Sequence, residues 1–312
     1  SRSMHEPLEV TPGPPTKDEL AVDDFLSMFG GTESSPETSA PELVESSLLS
    51  EEQMEHYRTQ GYVVIEDFLS PQEAKALSGY AEDVARWPHH GKVNSTYTKH
   101  HEFTANDERV LCRMENVTPF HAGWNQVARG PILDACSQIF GKKSALFKEK
   151  LNFKGPGGGG FAPHLDGPSL SATNLASTFI TVMVAVDDMT EENGCLRIVP
   201  GAWRPGDVPL KPVTSSDPDA GGRAGAITDE AAAAYTWENV ECPAGSVMFF
   251  SDQMPHRSSI NRSTGPRRAM FLTYNPLEEG DWHAEYYERM RRWREDYMVD
   301  LAAFQQAMAA LH

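Results

Sequence analysis

Long apolar runs are missing from this chain. No stretch approaches about 18 uninterrupted apolar residues, and no basic segment followed by an apolar one opens it, so neither a membrane span nor a secretory signal is expected. Cysteine is scarce as well. Cys112, Cys136, Cys195 and Cys242 sit far apart with no CxxC or Cys/His spacing, which argues against a zinc module and a disulfide framework. A reducing, cytoplasmic compartment is the plainer expectation, and there the sequons at Asn94, Asn116 and Asn261 are chance matches. Basic residues are few: 27 Lys and Arg against 45 Asp and Glu give a formal charge of -18. That balance argues against nucleic acid or an anionic membrane as the main partner. Repeats with a period of about 20 to 50 residues are also absent.

What is present suffices for one sizeable core, with 39% hydrophobic content over 312 residues. The negative charge is concentrated at the start, where residues 1–53 hold twelve acids against Arg2 and Lys17. With its Pro, Ser and Thr content, segment 1–48 reads as a disordered acidic tail. Ser1-Arg2-Ser3-Met4 reads as an added leader ahead of Met4. Leu20, Phe25, Leu26 and Phe29 stand near helical spacing, although a weakly structured tail is the favoured reading there. A single domain is expected over 49–312. Ser50 caps a helix that Gly61 stops, Tyr62 to Ile65 reads as a strand, and Ser70-Pro71 opens a helix with Ala74, Leu77 and Ala81 on one face.

From about 109 to 275, short apolar or alternating runs at 145–153, 161–166, 178–187, 195–199, 246–251 and 268–274 are separated by turn-rich stretches. The pattern predicts a mainly β, antiparallel jelly-roll or barrel core with flanking helices. Tyr286, Met290, Trp293, Tyr297, Leu301, Phe304 and Met308 recur at three- and four-residue steps, predicting one amphipathic helix over 281–311, packed on the barrel or used to dimerise. Whether the chain is a monomer or a homodimer stays open.

"FKGPGGGGFAPHLDGPSL" (153–170) has neither the Gly-Lys-Ser/Thr of a phosphate loop nor the helix that a dinucleotide loop requires. Its flanks read as strands of one domain, so the glycines serve a tight turn. His164 and Asp166 are two apart and would point to one face of a strand. Alone the pair is weak evidence, since a surface polar pair looks the same. His256, at a strand end ninety residues later, supplies a third ligand. Two His and one carboxylate leave open positions suited to Fe(II) oxygenases. Eleven residues further, Arg267 offers the planar fork that binds a dicarboxylate co-substrate.

His164-x-Asp166, His256 with Ser258 two beyond and Arg267 eleven beyond, and "VAVDDMTEENGCLRIVPGAW" together resemble the phytanoyl-CoA dioxygenase family of Fe(II)- and 2-oxoglutarate-dependent oxygenases. "QGYVVIEDFLSPQEAKAL" matches that family's opening, and the resemblance spans roughly 52–275. "FKEKLNFKGPGGGGFAPH" and "RMEN" are similar to a subgroup that includes enzymes hydroxylating 2-aminoethylphosphonate. The resemblance implies a double-stranded β-helix with iron held by His164, Asp166 and His256. It places the far carboxylate of 2-oxoglutarate on Arg267 and Ser258, helped by Thr181, and it implies hydroxylation of an unactivated C–H with release of succinate and CO2. Trp203 departs from the family's common histidine, at a turn that is no ligand.

Substrate residues come from the mouth of the barrel. Lys148, Lys150 and Asn152 alternate on one strand face and would suit an anionic head; the competing reading is a solvated face, with Phe147, Leu151 and Phe153 as the core side. Arg113, Glu115 and Asn116 would grip a zwitterion or else pair on the barrel surface. His100, His101 and His121 read as ordinary polar residues in loops, and the insert 205–236 as a candidate lid with a short helix in "DEAAAAYTW". A small or medium anionic or zwitterionic substrate is expected, an aminophosphonate being the favourite. The alternatives are an acyl-CoA hydroxylase, a non-catalytic binding protein on the same scaffold, and a zinc hydrolase that lacks its usual base.

Overall fold

A computed structural model describes residues 48–88, 97–103, 107–212 and 224–292. The acidic tail with its candidate helix at 20–29, the middle of the 205–236 insert and most of the 281–311 helix lie outside the described residues. Among those described, no helix is long and apolar enough to cross a membrane, and all four cysteines are free.

The first elements follow their local signals. Helix α1 (Glu51–Gln60) starts from a capping box in which the Ser50 hydroxyl accepts from Gln53 N and the Gln53 side chain accepts from Ser50 N. Gly61 ends it at φ 82°, a left-handed turn pressed against the Trp203 ring, 2.3 Å from where a Cβ would stand. Trp203 thus closes the joint between α1 and strand β1 (Tyr62–Ile65). Helix α2 (Pro71–Ala85) repeats the device with Ser70 and Glu73 and buries Leu77, Ala81 and Val84. Each such cap contributes about 1 kcal/mol.

The remaining strands are β2 (Thr98–Phe103), β3 (Arg109–Glu115), β4 (Ser144–Lys154), β5 (Phe161–His164), β6 (Ile180–Ala185), β7 (Leu196–Ile198), β8 (Glu238–Val240), β9 (Val247–Ser251), β10 (His256–Ser258) and β11 (Arg267–Pro276). They form two antiparallel sheets, one ordered β1-β9-β6-β11-β4-β3-β2 and the other β5-β10-β7-β8. The arrangement is a jelly roll. Met183, Met248, Phe250 and Phe271 of the large sheet pack on Leu196, Ile198 and Val240 of the small one. The opposite face of the large sheet, with Val182, Val184, Phe249 and Leu272, packs on α2 and on α3 (Ala122–Arg129) and α4 (Pro131–Phe140). Burial on both faces explains why "ITVMVA" is apolar at every position but Thr181.

One expectation needs correction. His100 and His101 lie on β2, a strand whose polar sequence hides it, and not in a loop. His121 has a structural task, its Nδ1 accepting from Trp124 N at the start of α3. Helices α3 and α4 were not foreseen.

The described part of the insert runs along β5. Leu165 N donates to Gly225 O and Ile227 N to Pro163 O, and Leu165 packs with Val208 and Ile227. Helix α6 (Asp229–Ala234) fulfils the short-helix expectation there, while α5 (Gly167–Ser171) follows β5 directly. A final helix, α7 (283–292), docks on β4: His283 Nε2 stands 2.6 Å from Glu149 Oε2, and Tyr287 Oη accepts from Glu149 N. In the described turns, then, this helix packs on its own barrel.

Candidate metal centre and co-substrate subsite

His164 ends β5 and His256 begins β10, and the two are cross-strand partners in the antiparallel pair. Asp166 is no longer on the strand. Its φ of -78° and ψ of -39° belong to the turn into α5, so helix onset rather than strand alternation brings its carboxylate to the histidines, while Leu165 points away into the insert's apolar cluster. All three are buried. His164 Nε2 lies 3.8 Å from Asp166 Oδ1, and His256 Nε2 lies 3.9 Å from Asp166 Oδ2.

Those separations are too long for hydrogen bonds, and all three donor atoms lie within 4.8 Å of one another. Each histidine turns Nδ1 to a carbonyl, His164 to Ala162 O at 2.7 Å and His256 to Met254 O at 3.0 Å. This fixes the Nδ1–H tautomer and leaves each Nε2 lone pair facing the centre. Thr181 Oγ1 donates to Asp166 Oδ2 at 3.0 Å. Burial raises the Asp166 carboxyl, but Lys150, His256, His164 and Lys148 outweigh it and hold the group well below the usual carboxylate range. Two imidazoles and one carboxylate held just apart fit a single divalent cation and leave coordination positions open.

A cavity opens beside this cluster. His164 and His256 stand in its wall, Phe161, Leu196 and Phe271 give it an apolar side, and Lys150 with Asn152 give it a polar one. Asn152 Oδ1 is buried with no hydrogen-bond partner among the described residues. Ser258 and Arg267 line the same cavity. Arg267, 2% exposed, donates from Nη2 to Gly194 O at 2.7 Å, and its buried Nε finds no partner among the described residues. Burial lowers its pKa to about 10, so it stays cationic at neutral pH.

Four expected residues lie elsewhere. Thr181 spends its hydroxyl proton on Asp166 and is absent from the cavity wall. Lys148 turns toward α7, its Nζ 5.8 Å from the Tyr286 ring centre. Arg113 stands opposite Asn152 on β3 but pairs with Glu115, Nε to Oε1 at 3.2 Å. Asn116 is a left-handed turn residue at φ 58°.

The sequence reading missed Lys154 and Gly194. Lys154 continues the alternation of Lys148, Lys150 and Asn152 by one more step, a signal that was available. Gly194 closes the "TEENG" turn at φ 74°, where an added Cβ would stand 2.4 Å from Ser259 O.

The model of the phytanoyl-CoA dioxygenase (PhyH) family matches residues 57–269. A methylphosphonate hydroxylase of Gimesia maris is 36% identical over 79% of this chain and 88% of its own length. A 2-aminoethylphosphonate dioxygenase from an uncultured bacterium is 33% identical over 78% and 88%. Among solved structures, EctD from S. alaskensis with 2-oxoglutarate and 5-hydroxyectoine superposes with a TM-score of 0.58 at 18% identity, covering 76% of this chain and 80% of that one, a likeness of fold.

Proposed function

The chain belongs to the phytanoyl-CoA dioxygenase family, and from that premise we propose that it is an Fe(II)- and 2-oxoglutarate-dependent hydroxylase of a small phosphonate, with His164, Asp166 and His256 as the iron ligands. The observation that carries the reading is one cavity bearing both ligand histidines, Arg267 with a buried Nε in want of an acceptor, and the Lys150–Asn152 pair.

Iron with 2-oxoglutarate and dioxygen supplies the oxidising chemistry for an unactivated C–H, with succinate and CO2 released. The chain's own part is placement. Arg267 and Ser258 hold the far carboxylate of the co-substrate, which fixes how deeply its keto-acid end reaches toward the histidines. Thr181 keeps the Asp166 carboxylate in register. Lys150 and Asn152 take the substrate's anionic head, while Phe271, facing Lys150 across β4 and β11, forms the dry wall for its carbon end. A phosphonate suits this pair because its three oxygens are acceptors that can use an ammonium and an amide N–H together. The two phosphonate-acting relatives support the same substrate class.

The test is succinate formation above the uncoupled background with 2-aminoethylphosphonate, methylphosphonate, 3-aminopropanoate and an acyl-CoA. Coupling to a phosphonate is expected, with Lys150→Met raising its KM about tenfold or more, the size of one charge-assisted hydrogen bond. Coupling to the acyl-CoA alone, or a phosphonate KM indifferent to Lys150, overturns the substrate assignment.

A further inference from the structure

Lys154 ends β4 directly opposite Arg267, the first residue of β11, so the two cations share a face of the sheet. Its side chain is almost wholly buried, 4% exposed, and its Nζ donates to three acceptors: Ser259 O at 2.6 Å, Ser258 Oγ at 2.8 Å and Gly194 O at 3.2 Å. That set uses every proton of an ammonium. No carboxylate lies within ion-pair distance of it among the described residues. A buried cation beside a buried cation is a costly arrangement that an anion would relieve.

Ser258 shows where that anion belongs. A hydroxyl has one proton and two lone pairs. Ser258 Oγ accepts from Lys154 Nζ at 2.8 Å and from Phe161 N at 3.2 Å. Both lone pairs are engaged, so the proton is left to donate, and Ser258 lines the cavity. Arg267 adds its unpartnered Nε on the same wall.

We propose that Lys154 is a positioning residue for the co-substrate: by occupying the acceptor side of Ser258 it makes that hydroxyl an obligate donor, aimed with Arg267 at the far carboxylate of 2-oxoglutarate. The inference rests on the co-substrate reading given above and goes beyond it. It makes the subsite selective for an acceptor-only end group, since an amide-ended keto acid would bring N–H groups with no acceptor to meet them.

A pH signature follows. Lys154 faces Arg267 on β11, Cys195 before β7 and Glu102 on β2. Burial first, and then Arg267, lower the Lys154 pKa to about 7; Arg267 stands at about 10 and Cys195 at about 11. The free protein therefore loses the Lys154 charge as pH rises through neutrality. A carboxylate bound nearby favours the ammonium, so above about pH 7 binding must take up a proton and affinity must fall.

The experiment is calorimetric titration of 2-oxoglutarate into the full chain loaded with Fe(II), without oxygen, across pH 6 to 8.5 in two buffers of different ionisation heat. Lys154→Met, Ser258→Ala and the double variant are compared, with thermal unfolding of each. The wild type is expected to take up protons increasingly as pH rises through about 7. K154M is expected to bind about tenfold more weakly at pH 6.5 with no proton uptake, and the double variant no more weakly than the weaker single. Proton uptake that survives in K154M, or single effects that multiply in the double variant, overturns the proposal. If K154M does not fold, the wild type decides, since an uptake curve flat through neutrality has the same consequence. Binding untouched by Arg267→Met would overturn the co-substrate reading itself, whereas dependence on Arg267 with indifference to Lys154 overturns this inference alone.

Discussion

Gly194→Ala tests the architecture of the co-substrate subsite without touching a ligand. Gly194 and Gly201 have nearly the same backbone, φ 74° and 79°, so alanine at either costs about 1–2 kcal/mol for the left-handed conformation. Their surroundings differ. Gly201 has only Gln60 Oε1 near its missing Cβ, at 4.0 Å. At Gly194 the Cβ would stand 2.4 Å from Ser259 O and 3.1 Å from Ile260 O, both backbone atoms, so the turn must move. Its carbonyl then moves too, and that carbonyl accepts from both Arg267 Nη2 and Lys154 Nζ. Weakening two charge-assisted bonds, each contributing about 1.5–3 kcal/mol, adds a further ~2 kcal/mol or more. At about 2–4 °C per kcal/mol for a domain of this size, G194A should melt roughly 5–10 °C below G201A. It should also bind 2-oxoglutarate at least about tenfold more weakly by calorimetry, with G201A close to wild type. Equal melting shifts with unchanged co-substrate affinity would refute the reasoning.

Thr181→Val removes the hydrogen bond to Asp166 and should weaken Fe(II) binding about tenfold in a chelator competition, with little change in melting temperature; unchanged metal affinity would deny Thr181 its orienting role. His164→Ala should abolish stoichiometric Fe(II) binding and succinate formation together, whereas Arg267→Ala should mainly raise the 2-oxoglutarate KM. Turnover unaffected by either would remove both assignments. Glu149→Gln breaks the buried contact with His283 and should cost about 3–5 kcal/mol in denaturant unfolding. Burial raises the Glu149 carboxyl, but His283 and Thr118 outweigh it and place it below its ordinary 4.5. Its stabilisation is therefore complete above that range and is lost as pH falls through the lowered value. The wild type should lose stability in acid by a component that E149Q lacks; parallel acid profiles would contradict this.

Much of the fold was legible because its signals are local. Ser50, Gly61 and Ser70 act through hydrogen bonds or dihedrals spanning three or four residues, and strands β6 and β9, buried on both faces, are mostly apolar. Strand β2, "TKHHEF", was hidden because it is half-exposed at a sheet edge, where neither periodicity nor composition marks it. The clustering of His164, Asp166 and His256 was legible for a reason only partly right. His164 and Asp166 do converge, yet the turn into α5 places the carboxylate, and His-x-Asp spacing cannot distinguish that from strand alternation. Phe147 could not be placed by counting either, since the β4–β11 register slips between Thr273 and Tyr274 and passes it over. The Glu149–His283 contact spans 134 residues, and no local pattern announces it.

The net charge was the least informative number for substrate chemistry. A chain of -18 looks hostile to a dianionic co-substrate and an anionic substrate, but solvated charges are screened by salt over about 8 Å, and twelve of the acids belong to the first 53 residues of the sequence. What an entering anion meets is local: Lys150 and Arg267 on the cavity wall with Lys154 behind Ser258, against the single carboxylate of Asp166 among the ligands. Arg267 and Lys154 are buried where water is largely excluded, so each counts for more than a surface acid. The same burial that depresses the Lys154 pKa gives a bound carboxylate its grip. Site and surface thus carry opposite signs because they obey different dielectrics, and only the side chains facing the cavity bear on what binds there.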